Sequence, residues 1–399
     1  MTALTPSEHA ALRAEFPILS TTTYMISNSL GAMPRGVEAS LQDYARVWAS
    51  RGVRAWAERW WTMAREVGDA IAPFIGAPPG AISMCESVTA AHMSVLSTLA
   101  PSSSGRDAIV CSAADFPSLI YLFRAHQALG YRLVVVPASD DGTSDAARIA
   151  EAIDERTALV AISHVLFRSS FIVDPTPVVE RARRVGAPVV LDLYQAAGII
   201  PVDVTALGVD FAAGGCLKWL CGGPGNAFLY ARPDRAADVR PRFTGWAAHP
   251  QPFAFDVEAF EPPADARRLQ TGTPAIPAYY AALPGLQVLG AIGVPAIRAR
   301  STALTARLLE LADEYAFHTV AVRDPSRLAG AVAIDVADAR DVARTLNARD
   351  VVVDYRPEVG IRLAPHVYNT VGEVETAMAA IAEIARTRRY TPPTDTMVT

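Results

Sequence analysis

Between residues 107 and 231, short apolar stretches alternate with stretches of helical periodicity, and this alternation narrows the possible folds more than any other property of the chain. Ala108–Cys111, Leu133–Val136, Ala158–Ser163, Pro188–Leu193, Val209–Ala213 and Ala227–Ala231 read as strands. Ser118–Leu129, Ser144–Ile153 and Thr176–Val185 read as helices between them. Strands that are apolar nearly throughout are covered on both faces. The pattern therefore predicts an α/β fold, a mostly parallel sheet flanked by helices. Ligands in such sheets bind beyond the carboxyl ends of the strands.

The flanking sequence extends this frame. Val37–Ser50, Trp60–Phe74 and Ser87–Leu99 read as helices, and Pro241–Pro277 as a long loop region without periodicity. Helices return at Ala278–Leu289 and Pro295–Tyr315. A smaller α+β unit follows, with strands Gly330–Asp335, Val351–Asp354 and Ile361–Leu363 and helices Ala339–Ala348 and Gly372–Arg386. The tail from Tyr390 is expected to fray.

Lysine and arginine together number 36, yet the chain has one lysine, Lys218. Arginine replaces lysine wherever a fixed positive charge is enough. It cannot lose its proton at accessible pH or form a Schiff base with an aldehyde. Lys218 is therefore a candidate for covalent chemistry, against the plain alternative of a surface charge left by chance. It lies between two apolar strands among small residues, Gly214-Gly-Cys-Leu-Lys-Trp-Leu-Cys-Gly-Gly223, where an amine is partly desolvated and its pKa falls. Asp192 ends the apolar strand before the last one preceding this lysine. A carboxylate there can keep the pyridine nitrogen of pyridoxal phosphate (PLP) protonated. Its plain alternative is capping the following turn.

Other classes fall away. The formal net charge of −5 gives no global basic field for nucleic acid or an anionic membrane. No apolar run is long enough to span a bilayer, and the first residues lack the apolar core of a secretory signal, so a cytoplasmic enzyme is expected. The four cysteines suit free thiols in a reducing compartment. The seven histidines show no paired metal spacing, so no metal is expected, and neither a Gly-x-Gly-x-x-Gly nor a P-loop is present.

Asp192-Leu-Tyr-Gln195, Pro201-Val-Asp-Val-Thr-Ala-Leu-Gly-Val-Asp-Phe211, Lys218 and Gly222-Gly-Pro-Gly225 together resemble the class V aminotransferase family of fold-type-I PLP enzymes. Asn28-Ser-Leu-Gly31, Val67–Pro73, Cys85-Glu-Ser-Val-Thr89, Asp115-Phe-Pro-Ser118 and Ile361–Thr370 resemble the kynureninases within it. The resemblance implies a large PLP-binding domain over residues 31–284 and a small domain from residues 1–30 and 285–399. It implies that Lys218 carries the cofactor as an aldimine and then moves the α-proton of an amino-acid substrate. Asp192 would pair with the pyridine nitrogen, Gln195 would contact the phenolic oxygen, and Phe116 would stack on the ring. Val88 and Thr89 would hold the phosphate at a helix N-terminus. Trp246 and Thr273 match positions near the phosphate, with Thr273 supplied by a neighbouring subunit of a homodimer. Arg362 would bind the substrate carboxylate. Ser163, His164, Asn28 and Trp61 are further candidates to line the pocket, each with a plain structural alternative.

The implied reaction is kynureninase-like hydrolysis of a Cβ–Cγ bond through an external aldimine and a quinonoid. Several positions depart from that pattern. Leu217 stands where kynureninases have tyrosine, Leu119 where they have aspartate and Gln195 where they have histidine. The serine and histidine that desulfurases carry before the lysine are replaced by Gly215 and Leu217, and residues 351–362 contain no cysteine for desulfuration. The alternative is another class V reaction: β-elimination, epimerisation, transamination or C–C bond formation.

Overall fold

The computed structural model describes residues 4–100, 105–139, 141–258, 260–320 and 322–392. Its centre is a seven-stranded sheet. From one edge the order is Ile82–Cys85, Ala227–Ala231, Phe211–Gly215, Val189–Asp192, Thr157–Ser163, Ala108–Ser112 and Arg132–Val136. The last five run parallel, and Ala227–Ala231 is antiparallel to both its neighbours. Every residue of the four inner strands from Ala108–Ser112 to Phe211–Gly215 is buried, which accounts for their unbroken apolar character. Helix Thr176–Val185 shows how the layers close. Val178, Val179, Ala182 and Val185 face the core, Arg183 and Arg184 face water, and Gly186 ends the helix at φ 70°.

The strand expected at Val209–Ala213 runs over Phe211–Gly215, so it delivers the chain to the lysine loop two residues later. The antiparallel edge strand Ile82–Cys85 adds to the sequence reading.

Beyond helix Ile276–Ile292, the long helix Val294–Glu314 leads into a four-stranded antiparallel sheet. Its order is Asp354–Arg356, Gly360–Leu363, Val332–Asp335 and His318–Thr319. A second core gathers here, around Leu308, Ile334, Leu346, Ile361 and Ile381. The strand expected at Val351–Asp354 is two strands. Val351–Val352 pairs in parallel with Thr23–Tyr24, and after Val353 the chain turns into the Asp354–Leu363 hairpin. Tyr390 is not frayed, since its hydroxyl donates to Asp338 at 2.8 Å. Residues 393–399 of that tail lie outside the described residues. Among the described residues no single helix is long and apolar enough to cross a membrane.

Candidate active site

Parallel pairing brings the carboxyl ends of the strands level. Ser163 lies opposite Asp192, and Asp192 opposite Ala213. Phe211–Gly215 then leads into the loop that carries Lys218. The Asn28–Gly31 loop docks on this backbone, with Gly31 N–H donating to the Leu217 carbonyl at 3.0 Å. A Cβ on Gly31 would stand 2.1 Å from the Lys218 carbonyl oxygen, so the approach requires glycine.

These ends open on a cavity of about 150 Å³. Lys218, Asp192, Gln195, Phe116, Val88, Thr89 and Ser163 all line it, as do Tyr194, Val165, Phe167 and Leu119. Lys218 is 8% exposed. Burial pushes its amine down to about 7, against the pull of Asp192, and the positive charge of Arg362 pushes the same way as burial. No hydrogen bond or ion pair to it is found among the described residues. Its Nζ lies 4.4 Å from the Tyr194 ring centroid and 5.9 Å from that of Phe116. Burial raises the Asp192 carboxyl to about 6, opposed by the Tyr194 N–H, which donates at 2.7 Å, and by the charge of Lys218.

Sequence reasoning gave no role to three neighbours. Asp115 is buried, and its carboxylate accepts the N–H groups of Ser112 and Ser163, each at 2.8 Å, locking two strand ends. Burial nevertheless raises its carboxyl to about 6. Tyr194 and Phe167 form walls. The only signal for all three was position, within a few residues of a strand end. Gln195 is fixed on both sides. Its carbonyl accepts Trp219 Nε1 at 3.0 Å and its amide donates to the Asn28 carbonyl at 2.9 Å. Asn28 itself is buried with its side-chain oxygen unpartnered.

Arg362 departs from the simple expectation of an open clamp. It is 3% exposed and already engaged. Its Nε and Nη2 bond both oxygens of Asp354, and Nη1 donates to the Phe167 carbonyl at 2.6 Å. Hairpin register causes this, because Asp354 lies directly opposite Arg362. The other hydrogens of Nη1 and Nη2 are the part of the fork left for a carboxylate.

His164 does not join the cavity. Its Nδ1 bonds the Val173 carbonyl at 3.0 Å, and its ring borders a separate cleft with Asp174, Pro201 and Arg327. Trp61 also lies elsewhere. It packs on Trp246 and Phe253 at 4.9 and 5.0 Å and lines a hollow that contains neither Lys218 nor Asp192. Trp246 and Thr273 stand at the surface outside the Lys218 cavity.

Residues 23–377 match the model of the aminotransferase class-V family. The chain belongs to that family. It is 34% identical to an uncharacterized aminotransferase, YcbU, of Bacillus subtilis, over 93% of this chain and 96% of that one. It is 28% identical to a kynureninase of Burkholderia pseudomallei, over 96% of this chain and 94% of that one. Among solved structures, the apo cysteine desulfurase of Thermococcus onnurineus superposes with a TM-score of 0.83 at 22% identity, covering 97% of this chain and all of that one. The C-DES protein with glycine covalently linked to its PLP cofactor superposes at 0.81 and 21% identity, covering 93% of this chain and 99% of that one. The fold is that of the fold-type-I PLP enzymes, and the cofactor of this family member is PLP.

The residues present fit that cofactor. An unpaired amine suits its aldehyde, and a carboxylate at the adjacent strand end suits its pyridine nitrogen. Helix Val88–Leu96 uses the Ser87 hydroxyl to cap the Ala90 N–H, at 3.2 Å, which leaves the N–H groups of Val88 and Thr89 for an anion.

Proposed function

We propose that this PLP enzyme hydrolyses the Cβ–Cγ bond of an α-amino acid with a γ-carbonyl group, in the manner of a kynureninase, releasing a carboxylic acid and alanine. The observation that carries its amino-acid chemistry is the solitary, unpartnered Lys218 amine, poised near neutrality beside buried Asp192.

In this reading Val88 and Thr89 hold the phosphate, Phe116 covers one ring face, and Ser163 and Gln195 border the ring. PLP at Lys218 supplies a sink for the electron pair left at the substrate α-carbon. Asp192 keeps the ring nitrogen protonated. Lys218, once freed by the incoming amine, takes the α-proton on Nζ and returns it within the same cavity. Arg362 receives the substrate carboxylate end-on, steadied by Asp354. Asn28 acts from behind Gln195, its backbone carbonyl accepting the Gln195 amide. Thr273 of the partner subunit reaches the phosphate across a homodimer interface. The enzyme works in the cytoplasm.

Full-length similarity to kynureninase supports the hydrolytic reaction. The state of the thiols speaks against desulfuration. Cys111, Cys216 and Cys221 are buried, and burial raises all four thiols well above neutrality. Leu217, Leu119 and Gln195 depart from the kynureninase pattern and leave room for another class V reaction, and among these transamination is favoured by the aminotransferase name of the 34%-identical relative. Incubation of the holoenzyme with L-kynurenine, alone and with 2-oxoglutarate as amino acceptor, separates the two. Hydrolysis yields anthranilate and alanine in equal amounts, whereas a 2-oxo product without alanine moves the assignment to transamination.

A further inference from the structure

We infer that Tyr194 forms the second wall of the cofactor slot, so that the PLP ring is held between two aromatic faces, those of Phe116 and Tyr194. The inference rests on the cofactor assignment and is independent of the reaction chosen. Both rings face the same Lys218 amine, Phe116 at 5.9 Å and Tyr194 at 4.4 Å, yet they make no ring contact with each other. Phe116 instead meets Phe167 edge-on at 5.1 Å. Two aromatic rings that flank the amine binding the aldehyde without touching each other can take a planar heteroaromatic ring between them.

The place of Tyr194 is built into the chain. Its N–H donates to Asp192, so the carboxylate and the ring move together. Its ring lies against Gly215, where a Cβ would stand 2.4 Å from Tyr194 Cε2. Gly215 is also where desulfurases carry a serine, and Leu217 is where kynureninases carry a tyrosine. Glycine at position 215 makes room for the Tyr194 ring. Stacking area replaces hydrogen bonds as a means of retaining the cofactor. No hydroxyl partner for Tyr194 is found among the described residues, and burial holds the phenol unionised, up to about 12. The ring face, not the oxygen, makes the contact.

PLP affinity of the apoenzyme, titrated by absorbance, tests this without reference to turnover. Tyr194→Phe keeps the face and is expected to bind PLP within about threefold of wild type. Tyr194→Ala removes the face and is expected to weaken binding by about tenfold or more, as loss of one aromatic stacking partner does. Gly215→Ala is expected to weaken binding as well, by pushing the ring aside. In the Gly215→Ala/Tyr194→Ala double variant that extra loss is expected to vanish, because no ring remains to displace. Circular dichroism confirms that each variant is folded, and the cycle is read from the folded ones. Wild-type affinity in Tyr194→Ala overturns the inference. So does equal weakening in Tyr194→Phe, which assigns the effect to the hydroxyl, and so do additive losses in the double variant. Failure of wild-type protein to bind PLP is a separate result that removes the cofactor assignment itself.

Discussion

The Lys218 cavity and the Arg362 hairpin treat buried charge in opposite ways. In the cavity Lys218 and Asp192, and just behind it Asp115, are all buried without an ion-pair partner, and burial shifts each toward its neutral form. In the hairpin, Asp354 is fully buried but lies between two guanidiniums, bonded by Arg362 and reached by Arg356 at 3.0 Å. Unpaired groups near neutrality can exchange protons. Saturated groups hold their charge and their place. The first arrangement suits proton exchange and the second holds the hairpin in place.

The largest break in this comparison is Lys218→Ala. Turnover is expected to fall by at least about 10³-fold, since no second lysine exists to replace it. Residual turnover near wild type, measured with purified protein, removes the covalent role.

Asp354→Ala tests the hairpin. Breaking a buried pair leaves uncompensated charge, so a loss of about 3–5 kcal/mol in unfolding free energy is expected. Arg356→Ala, a third exposed, is expected to cost under about 1 kcal/mol. Denaturant titration compares them, and equal losses would show that Arg356, not Arg362, satisfies Asp354.

Asp192→Asn sharpens the contrast from the other side. A carboxyl raised to about 6 from 3.8 contributes most to stability when protonated, and that contribution is lost as pH rises through 6. Asparagine keeps the acceptor for Tyr194 N–H and removes this loss. The apoenzyme is therefore expected to gain on the order of 1 kcal/mol at pH 7–8, while turnover falls by about 10²-fold or more. A destabilised apoenzyme contradicts the reading of Asp192 as an unpaired charge. Below pH 7 the protonated Lys218 amine cannot attack an aldehyde, so capture of PLP by apoenzyme is expected to slow as pH falls from 8 to 6.

Much of this contrast was legible in the sequence, but unevenly. The inner strands announced themselves because each is buried on both faces and therefore apolar throughout. Lys218 stood out by its solitude and Asp192 by its strand end. Arg362 looked like an open clamp because its partner Asp354 is set by hairpin register, which spacing alone does not give. His164 looked like a pocket residue because it follows Ser163 at a strand end. The next residue along an extended chain turns to the other side, and its ring found the Val173 carbonyl there. Tyr194 was hidden for a related reason. Its direction depends on the tight turn in which its own N–H bonds Asp192 and on the absence of a side chain at Gly215, a contact between residues of adjacent strands.

The central claim is that Lys218 is an amine brought to neutrality by burial without a partner. A chain with one lysine permits a direct measurement. Reductive methylation of the apoenzyme with ¹³C-formaldehyde labels one ε-amine, distinct from the N-terminus, and its NMR shift can be followed against pH. A midpoint near 7 is expected, moving lower in Asp192→Asn as the supporting carboxylate is lost. A midpoint at the ordinary value of 10.5 would contradict it.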